Sequence, residues 1–521
     1  WGKRSDIFYV RIFLAVGLIV LLIAIINFIN LATARASQRA REVGIRKSVG
    51  ALRGSLVWQF LSESFLLTTL ALLLALVIFQ SFLPFFNSLV DNQLSLPTNQ
   101  PAFWGYFAGF AFLVSVLAGA YPAFFLSGFQ PAKVLKGIVS VKSGVGLRQT
   151  LVVGQFVLSI ALCIGTIVIY RQLDMMQNKK LGFDKSQLLY VKLKGDSRGK
   201  APLFKEEIAK LASVASVSAT TSTLVDVGNQ SYVEWEGQEP DDKLSITRLN
   251  IDPDFLKTTG LSLASGRNFS FAIPADTLNT FGKYLLNESA AQRMGWTNES
   301  ALGKRVSFYG LEGEVIGIIK DFHFKPLRSA IEPMIFRFRP KEYSFNLLVK
   351  TSGGDLPQTL AEIGKIHKAN EPNYPLSYGF VDQDLAAQYR AEQKISQIVL
   401  YFSVLAIFIS CLGLFGLATF TAEQRTKEIG VRKVLGASVT SIVALLSKDF
   451  LKLLLIAIVI ASPIAWYAMN EWLADFAYKI EISWWVFALA AGLAVGIALL
   501  TVSFQSVKAA LMNPVKSLRS E

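Results

Sequence analysis

Seven stretches of this 521-residue chain stay apolar for about the 20 residues that a helix needs to cross a bilayer. They cover residues 10–31, 64–86, 102–126, 150–170, 396–419, 449–470 and 484–504. In hydrocarbon each backbone N–H and C=O must find its partner within its own segment, so seven such runs predict seven membrane-spanning helices. Composition agrees. Only 17% of the residues are charged and 52% are hydrophobic, whereas soluble domains carry about a quarter charged residues. Between the fourth and fifth stretches, residues 171–395 have ordinary soluble composition and predict one separate domain. Cys163 and Cys411 both lie inside apolar runs. That excludes a disulfide framework or a zinc pattern outside the membrane.

The formal net charge of +14 raises the question of nucleic acid. The basic residues bracket the apolar runs, so the positive-inside rule and anionic lipid explain them better. Arg35, Arg39, Arg41, Arg46, Lys47 and Arg53 follow the first run. Lys133, Lys136, Lys142 and Arg148 follow the third, and Arg425, Lys427, Arg432, Lys433 and Lys448 the fifth. The alternate loops carry almost no bases. All basic loops therefore fall on the cytoplasmic side, and the soluble domain lies outside. This topology also puts the first residues outside with no span before them. The expectation is that the chain is a piece of a longer protein.

An internal repeat supports that expectation. "NLATARASQRAREVGIRKSVGA" after the first span matches "GLATFTAEQRTKEIGVRKVLGA" after the fifth. Each is followed by two more spans and a basic segment, "QPAKVLK" in one case and "NPVKSLR" in the other. Two long stretches in the same order and spacing mark a duplicated unit. The complete unit is one span, an outside domain and three spans, and the first copy lacks its opening span and its domain. Within each copy Glu42 and Arg46, or Glu428 and Arg432, stand four apart with the acid first, the favourable order for a helical pair. Gly50 and Gly436 are expected helix stops, with Ser55 and Ser438 as caps of the helix that follows. A lipid-facing basic loop would need this charge but not this order of residues. The repeated order therefore points to an element that docks a cytoplasmic partner.

These loops, the segments that close each copy and the one-plus-three arrangement resemble permease subunits of MacB/FtsX-type ABC transporters, in their duplicated eight-span form. The resemblance implies an α-helical integral membrane protein, here with seven spans, plus one α+β extracytoplasmic domain of the MacB-like periplasmic core type. It divides the chain into a first FtsX-like unit at 1–149, a span at 150–170, the core domain at 171–395 and a second FtsX-like unit at 396–521. It also implies that the loop after the first span of each three-span set meets a separate ATPase. By that resemblance docking falls on Glu42, Gly44, Arg46, Lys47 and Gly50, and on Glu428, Gly430, Arg432, Lys433 and Gly436. The implied partners are a cytoplasmic ABC ATPase dimer, membrane lipid and a periplasmic adaptor or substrate, with no nucleic acid. The implied location is the bacterial inner membrane. No cofactor is expected in the chain itself, since ATP would be bound by the partner.

The outside domain reads as alternating strands and helices, including a split βαβ portion. "SQLLYVKLKG", "SYVEWEG", "LSITRLNID", "EVIGIIKDFHF", "MIFRFRP" and "FNLLVKTS" are predicted strands. "FKEEIAKLASV" and "LPQTLAEIGKIHKAN" are predicted helices. The search for chemistry is unproductive. His323 beside Asp321 makes at most two metal ligands and reads as a turn hydrogen bond, and His367 as a solvated helix residue. Asp382 and Asp384 read as a helix start. Gly282-Lys283 and Gly303-Lys304 lack the rest of a phosphate loop, and no nucleophile elbow is present. No catalytic or metal residue is predicted, so the chain is not read as an enzyme. Asn27 and Asn30 are expected to bond between spans, and Gly492 with Gly496 and Ala406 with Ser410 to form close-packing faces. Two functions follow from the resemblance. One is a permease that couples ATP hydrolysis to movement of the outside domain (mechanotransmission), for drug or peptide efflux or lipoprotein release. The other is a non-transport transducer that regulates a cell-wall hydrolase or senses antibiotics.

Overall fold

The structure, a computed structural model, describes residues 2–90, 93–127, 145–225, 227–277, 280–340, 342 and 344–511. The chain divides into two compact units. One holds Trp1–Gln172, Glu392–Trp472 and Glu481–Glu521, and the other holds Leu173–Ala391 with Leu473–Ile480.

The first unit is helical. Its elements are α1 (Gly2–Ser48), α2 (Arg53–Val90), α3 (Pro101–Ser127) and α4 (Val145–Asn178), the last of which runs on into the second unit. Six helices among the described residues are long and apolar enough to cross a membrane. Four of the qualifying segments are Phe13–Thr33, Arg53–Ser88, Pro101–Ala120 and Arg148–Asn178. The others are Glu392–Gln424 and Trp484–Lys508. The predicted run at 449–470 does form a helix, but that helix stands outside these six. That helix runs over Val439–Ala474 and contains Pro463. The closing segments "QPAKVLK" and "NPVKSLR" lie outside the described residues.

The second unit contains two sheets. Strands β1 (Leu188–Lys192), β2 (Val214–Thr220), β10 (Asn346–Thr351) and β11 (Tyr378–Phe380) form the first, in the order β11-β1-β10-β2 and antiparallel throughout. Helix α5 (Ala201–Ala209) joins β1 to β2, and α8 (Leu356–Asn370) joins β10 to β11. This is the predicted split βαβ arrangement. Phe204 and Ile208 of α5 and Ile363 of α8 bury themselves against Leu189, Val191, Val217, Leu347 and Val349. Inserted between β2 and β10 is the second sheet. It uses β3 (Gln230–Trp235), β4 (Leu244–Asn250), β5 (Leu263–Gly266), β6 (Gly282–Asn287), β7 (Arg305–Phe308), β8 (Leu311–Ile319) and β9 (Met334–Arg337). Their order is β5-β8-β6-β9-β4-β3-β7, and β7 also pairs with β8, which closes six strands into a ring. Two short helices, α6 (Phe255–Thr259) and α7 (Glu288–Arg293), lie in its connections. Closure removes the sheet edge that would otherwise offer unpaired backbone to another chain.

After α9 (Val381–Gln388) the chain returns to the helical unit. There it forms α10 (Arg390–Gln424), α11 (Thr426–Val434), α12 (Val439–Ala474) and α13 (Trp484–Ala510). Ser159 and Ser410 hydroxyls meet at 2.8 Å and Thr166 and Ser403 at 2.7 Å, tying α4 to α10. Asn27 Nδ2 donates to the Ile409 carbonyl at 3.5 Å, an interhelical bond of the expected kind, while Asn30 is buried without a side-chain hydrogen bond. Ala406 and Ser410 are buried as expected. Among the described residues Gly492 and Gly496 have no close packing neighbour: a Cβ at either would meet nothing within 4 Å. The close approaches are at Gly413 and Gly416, where a Cβ would stand 2.3 Å from Asn27 Oδ1 and 2.2 Å from a Leu31 methyl. Small-residue spacing marks a face that permits contact. It does not say whether a partner lies opposite.

Candidate functional site

The two copies of the repeated motif fold to the same local geometry. Gly50 and Gly436 adopt φ of +100° and +89°, the left-handed region that glycine enters without a Cβ penalty. In the first copy Gly50 N–H donates to the Lys47 carbonyl at 3.0 Å and Ala51 N–H to the Arg46 carbonyl at 3.0 Å. In the second, Gly436 N–H donates to Lys433 at 3.1 Å and Ala437 N–H to Arg432 at 2.9 Å. This paired pattern is the Schellman stop, and it explains why Gly-Ala recurs at the end of both motifs. Ser438 then caps α12, its Oγ accepting from Ser441 N–H at 3.2 Å. Ser55 is not a cap. Helix α2 begins at Arg53, so Ser55 lies inside the first turn.

The predicted ion pairs form. Arg46 Nη2 lies 2.5 Å from Glu42 Oε1, and Arg432 Nη2 lies 2.8 Å from Glu428 Oε1. All four side chains are about half exposed, so each pair adds at most about 0.5 kcal/mol to its helix. Arg46 Nη1 also donates to Gln59 Oε1 at 2.7 Å, and Lys433 Nζ donates to the Ala510 carbonyl at 2.7 Å. Gly44 lies within α1 and Gly430 within α11.

Packing repeats the symmetry more fully than the charges do. Val43, one residue after Glu42, is buried with Leu56, Phe60 and Ala123. Ile429, one residue after Glu428, is buried with Ile442, Leu446 and Ala510. Val43 and Ile429, Leu56 and Ile442, and Phe60 and Leu446 occupy matching places in the two copies. Each motif thus rests one apolar residue on the helix that follows it and on the foot of the last helix of its set. The opposite side carries exposed apolar residues that a reading of charges misses. Ile45, Val49 and Leu52 project in the first copy, and Val431, Val434 and Leu435 in the second. Val49 is 84% exposed and Leu435 80%. Their signal in the sequence is an aliphatic residue placed just before each helix-stopping glycine, Val49 and Leu435, in an otherwise basic loop.

The copies differ in one respect. The expected short basic helix exists only in the second copy, where α10 ends at Gln424 and α11 starts at Thr426. In the first copy the motif continues α1 without interruption to Ser48. Thr426 Oγ1 bonds back to the carbonyls of Ala422 at 3.2 Å and Glu423 at 2.7 Å. Such back-bonding bends a helix, and the matching residue in the first copy, Ala40, has no hydroxyl with which to do it.

In the outside domain the histidines hold structure. His367 is buried, not solvated, with its ring edge-on to Phe204 at 5.9 Å. Burial pushes its pKa down. His323 is buried beside Tyr478, ring to ring at 4.8 Å. Burial, reinforced by the Lys179 charge, lowers its pKa. In place of the expected turn bond, His323 N–H donates to the distant Leu181 carbonyl at 2.8 Å. Asp321 is turned elsewhere: its oxygens accept from Asn287, from Ser289 N–H and from Ser289 Oγ. Asp384 accepts from Tyr190 Oη at 2.7 Å, and Asp382, in the first turn of α9, accepts from Gln383 N–H at 2.8 Å. None of these residues converges on a shared point.

Comparison with known proteins agrees with both halves of this picture. The family described as FtsX-like permease C-terminal matches residues 14–131 and 400–514, covering both copies of the repeat. The MacB-like periplasmic core domain matches residues 152–366. A macrolide export ATP-binding/permease protein MacB from Aggregatibacter actinomycetemcomitans is 22% identical over 241 residues, 44% of this chain and 35% of the relative. A protein of the same name from Sodalis glossinidius is 30% identical over 133 residues, 26% of this chain and 20% of the relative. The chain thus aligns with about a third or less of these relatives' length. Among solved structures, the periplasmic region of MacB from Actinobacillus actinomycetemcomitans covers 41% of this chain and 96% of its own, at 15% identity and a TM-score of 0.30. The extracellular domain of the noncanonic ABC-type transporter YknZ covers 37% and 97%, at 17% identity and a TM-score of 0.28.

Proposed function

The chain is a permease of the MacB/FtsX type, a multi-pass protein of the cytoplasmic membrane, and from that premise we propose that it is the transmembrane subunit of an ABC transporter driven by a separate ATPase. In this reading the two motifs are coupling helices, seated from the cytoplasm on the two members of an ATPase dimer. The observation that carries it is the repeated construction: one residue buried to hold the motif in place, an internal ion pair to orient it, a glycine stop and an exposed apolar ridge. Positive-inside orientation requires none of these but the charge. Helix α12 crosses as a further span, giving seven, and the outside domain performs the work that ATP hydrolysis drives. The MacB relatives are named for macrolide export, and by analogy the cargo class is a drug or peptide, or a lipoprotein released from the membrane.

The test is charge reversal in the full-length protein with the ATPase of its host. Arg46→Glu with Lys47→Glu, and separately Arg432→Glu with Lys433→Glu, leave many bases in the same loops, so insertion is preserved. Like charges facing each other at an interface cost several kcal/mol, enough to lose a micromolar complex. Each variant is expected to insert normally yet fail to co-purify with the ATPase or stimulate its turnover. Normal co-purification and turnover in both would remove the docking role.

A further inference from the structure

We propose that the cleft between the two sheets of the outside domain binds a small organic anion, a phosphate or carboxylate carrying an apolar flank. This inference does not depend on the coupling role of the repeated motif.

The cleft has a volume of about 150 Å³ and lies where the start of α5 faces the ends of β4 and β9. A cleft of that volume has room for several waters or for one small charged headgroup. Its floor is buried and polar, made by Asn250, Asp252 and Arg339 together with Phe338. Arg198 and Phe271 stand at its exposed rim.

The charges around the cleft do not balance. Asp252 is fully engaged: Oδ2 accepts from Lys205 Nζ at 2.5 Å and Ala219 N–H at 2.9 Å, and Oδ1 from Ser218 Oγ at 2.7 Å and Asp254 N–H at 3.1 Å. Lys205 is held by Asp252 and Asp254 together. The other acid of the lining, Glu342, accepts from Asn250 Nδ2 at 2.6 Å and Arg337 Nη2 at 3.2 Å. Asp252 and Asp254 share the one charge of Lys205 and Glu342 faces Arg337, so with Arg198 and Arg339 the cluster holds four positive and three negative groups, a net of one positive charge. Arg198 is different. Among the described residues no carboxylate lies within ion-pair distance of it. Its Nε donates to the Leu193 carbonyl at 3.2 Å and Phe345 lies 4.8 Å from its guanidinium carbon, so the group is aimed but not neutralised. Arg339 contributes its guanidinium to the buried floor, and the start of α5 adds partial positive charge from its N–H groups. A fixed guanidinium suits the planar oxygens of carboxylate or phosphate.

The apolar half of the ligand follows from Phe271. It is 62% exposed, edge-on to Phe338 at 5.3 Å, and Lys205 Nζ lies 5.3 Å from its ring. An exposed ring held in place at the rim of a cationic cleft offers a surface on which an aromatic or aliphatic group can stack.

The experiment is calorimetric titration of the full chain in lipid nanodiscs with phenyl phosphate, inorganic phosphate and benzylamine. Phenyl phosphate is expected to bind saturably and at least tenfold more tightly than inorganic phosphate, and benzylamine to give no binding. Arg198→Glu, an exposed position whose change should leave the fold intact, is expected to weaken phenyl phosphate at least tenfold. Phe271→Ala is expected to bring phenyl phosphate down to the level of inorganic phosphate. Absence of saturable phenyl phosphate binding, equal affinity for the two phosphates, or an Arg198→Glu affinity within twofold of wild type would overturn the proposal.

Discussion

Truncating the exposed ridge isolates the docking role from every other role the motif has. Leu435 is 80% exposed and Val49 84%, so nearly the whole of each side chain is available to a partner and almost none of it supports the fold. Leu435→Ala removes three carbons and Val49→Ala two. At about 0.8 kcal/mol per buried methylene, the losses on docking are about 2.4 and about 1.6 kcal/mol. These correspond to about 60-fold and about 15-fold weaker binding of the ATPase. The cost to the unbound protein is within about 0.5 kcal/mol, because exposed substitutions away from caps and cores rarely exceed that. Gly50 and Gly436 remain, so the helix stops are unchanged. The assay is bio-layer interferometry between the full-length permease in nanodiscs and its purified ATPase, with a thermal melt of each variant alongside. Unchanged melting with affinity lost in both variants is the expected result. Dissociation constants within twofold of wild type for both would refute the ridge as a contact surface.

Topology is checked by cysteine labelling after Cys163 and Cys411 are replaced by serine. Thr440→Cys should react only from the cytoplasmic side and Ser245→Cys only from outside, and the reverse would sink the orientation. A second expectation concerns acid. Hydrogen bonds from Lys350 and Ser186 hold the Asp184 carboxyl down to about 2, below the usual aspartate value of about 3.9. A depressed carboxyl contributes stability that is present above its unfolded pKa and lost as pH falls through its folded one. Amide protection in β1 and β10 should therefore drop between about pH 4 and pH 2, and Asp184→Asn should flatten that drop. Identical profiles for the two proteins would remove Asp184 as the cause.

What could be read in advance follows the strength of local rules. Helix α8 was legible to the residue, since Asp355 accepts from Gln358 N–H as a cap and the following Pro372 limits the far end. β1, β3, β4, β8, β9 and β10 are legible as β-branched and aromatic runs, whereas β2, β5, β6, β7 and β11 are not among the predicted strands. His367 was misplaced although a signal existed: Thr359, Ile363 and His367 recur every four residues and form the buried stripe of α8. Polarity was weighed there above periodicity. In the membrane the opposite holds, because apolar residues cover every face of a span and periodicity says little. That is why Gly492 and Gly496 were read as a contact while Gly413 and Gly416, one turn from Ile409, were not. The Schellman stops were legible from Gly-Ala. The ridge beside them was not, because exposure depends on what the fold leaves uncovered.

The unbroken first copy has a mechanical consequence. Helix α1 runs for 47 residues, about 70 Å, from Gly2 through its span to the glycine stop. A push on its foot is carried along a single stiff rod, and a rotation of 5° at one end displaces the other by about 6 Å at that length. The second copy has a joint at Arg425, where Thr426 Oγ1 bonds back to the Ala422 and Glu423 carbonyls. The same push there is divided between bending at the joint and movement of α10. Two feet of equal shape therefore stand on an unbroken helix and on a jointed one, so equal displacements of the two would move the helices above them unequally.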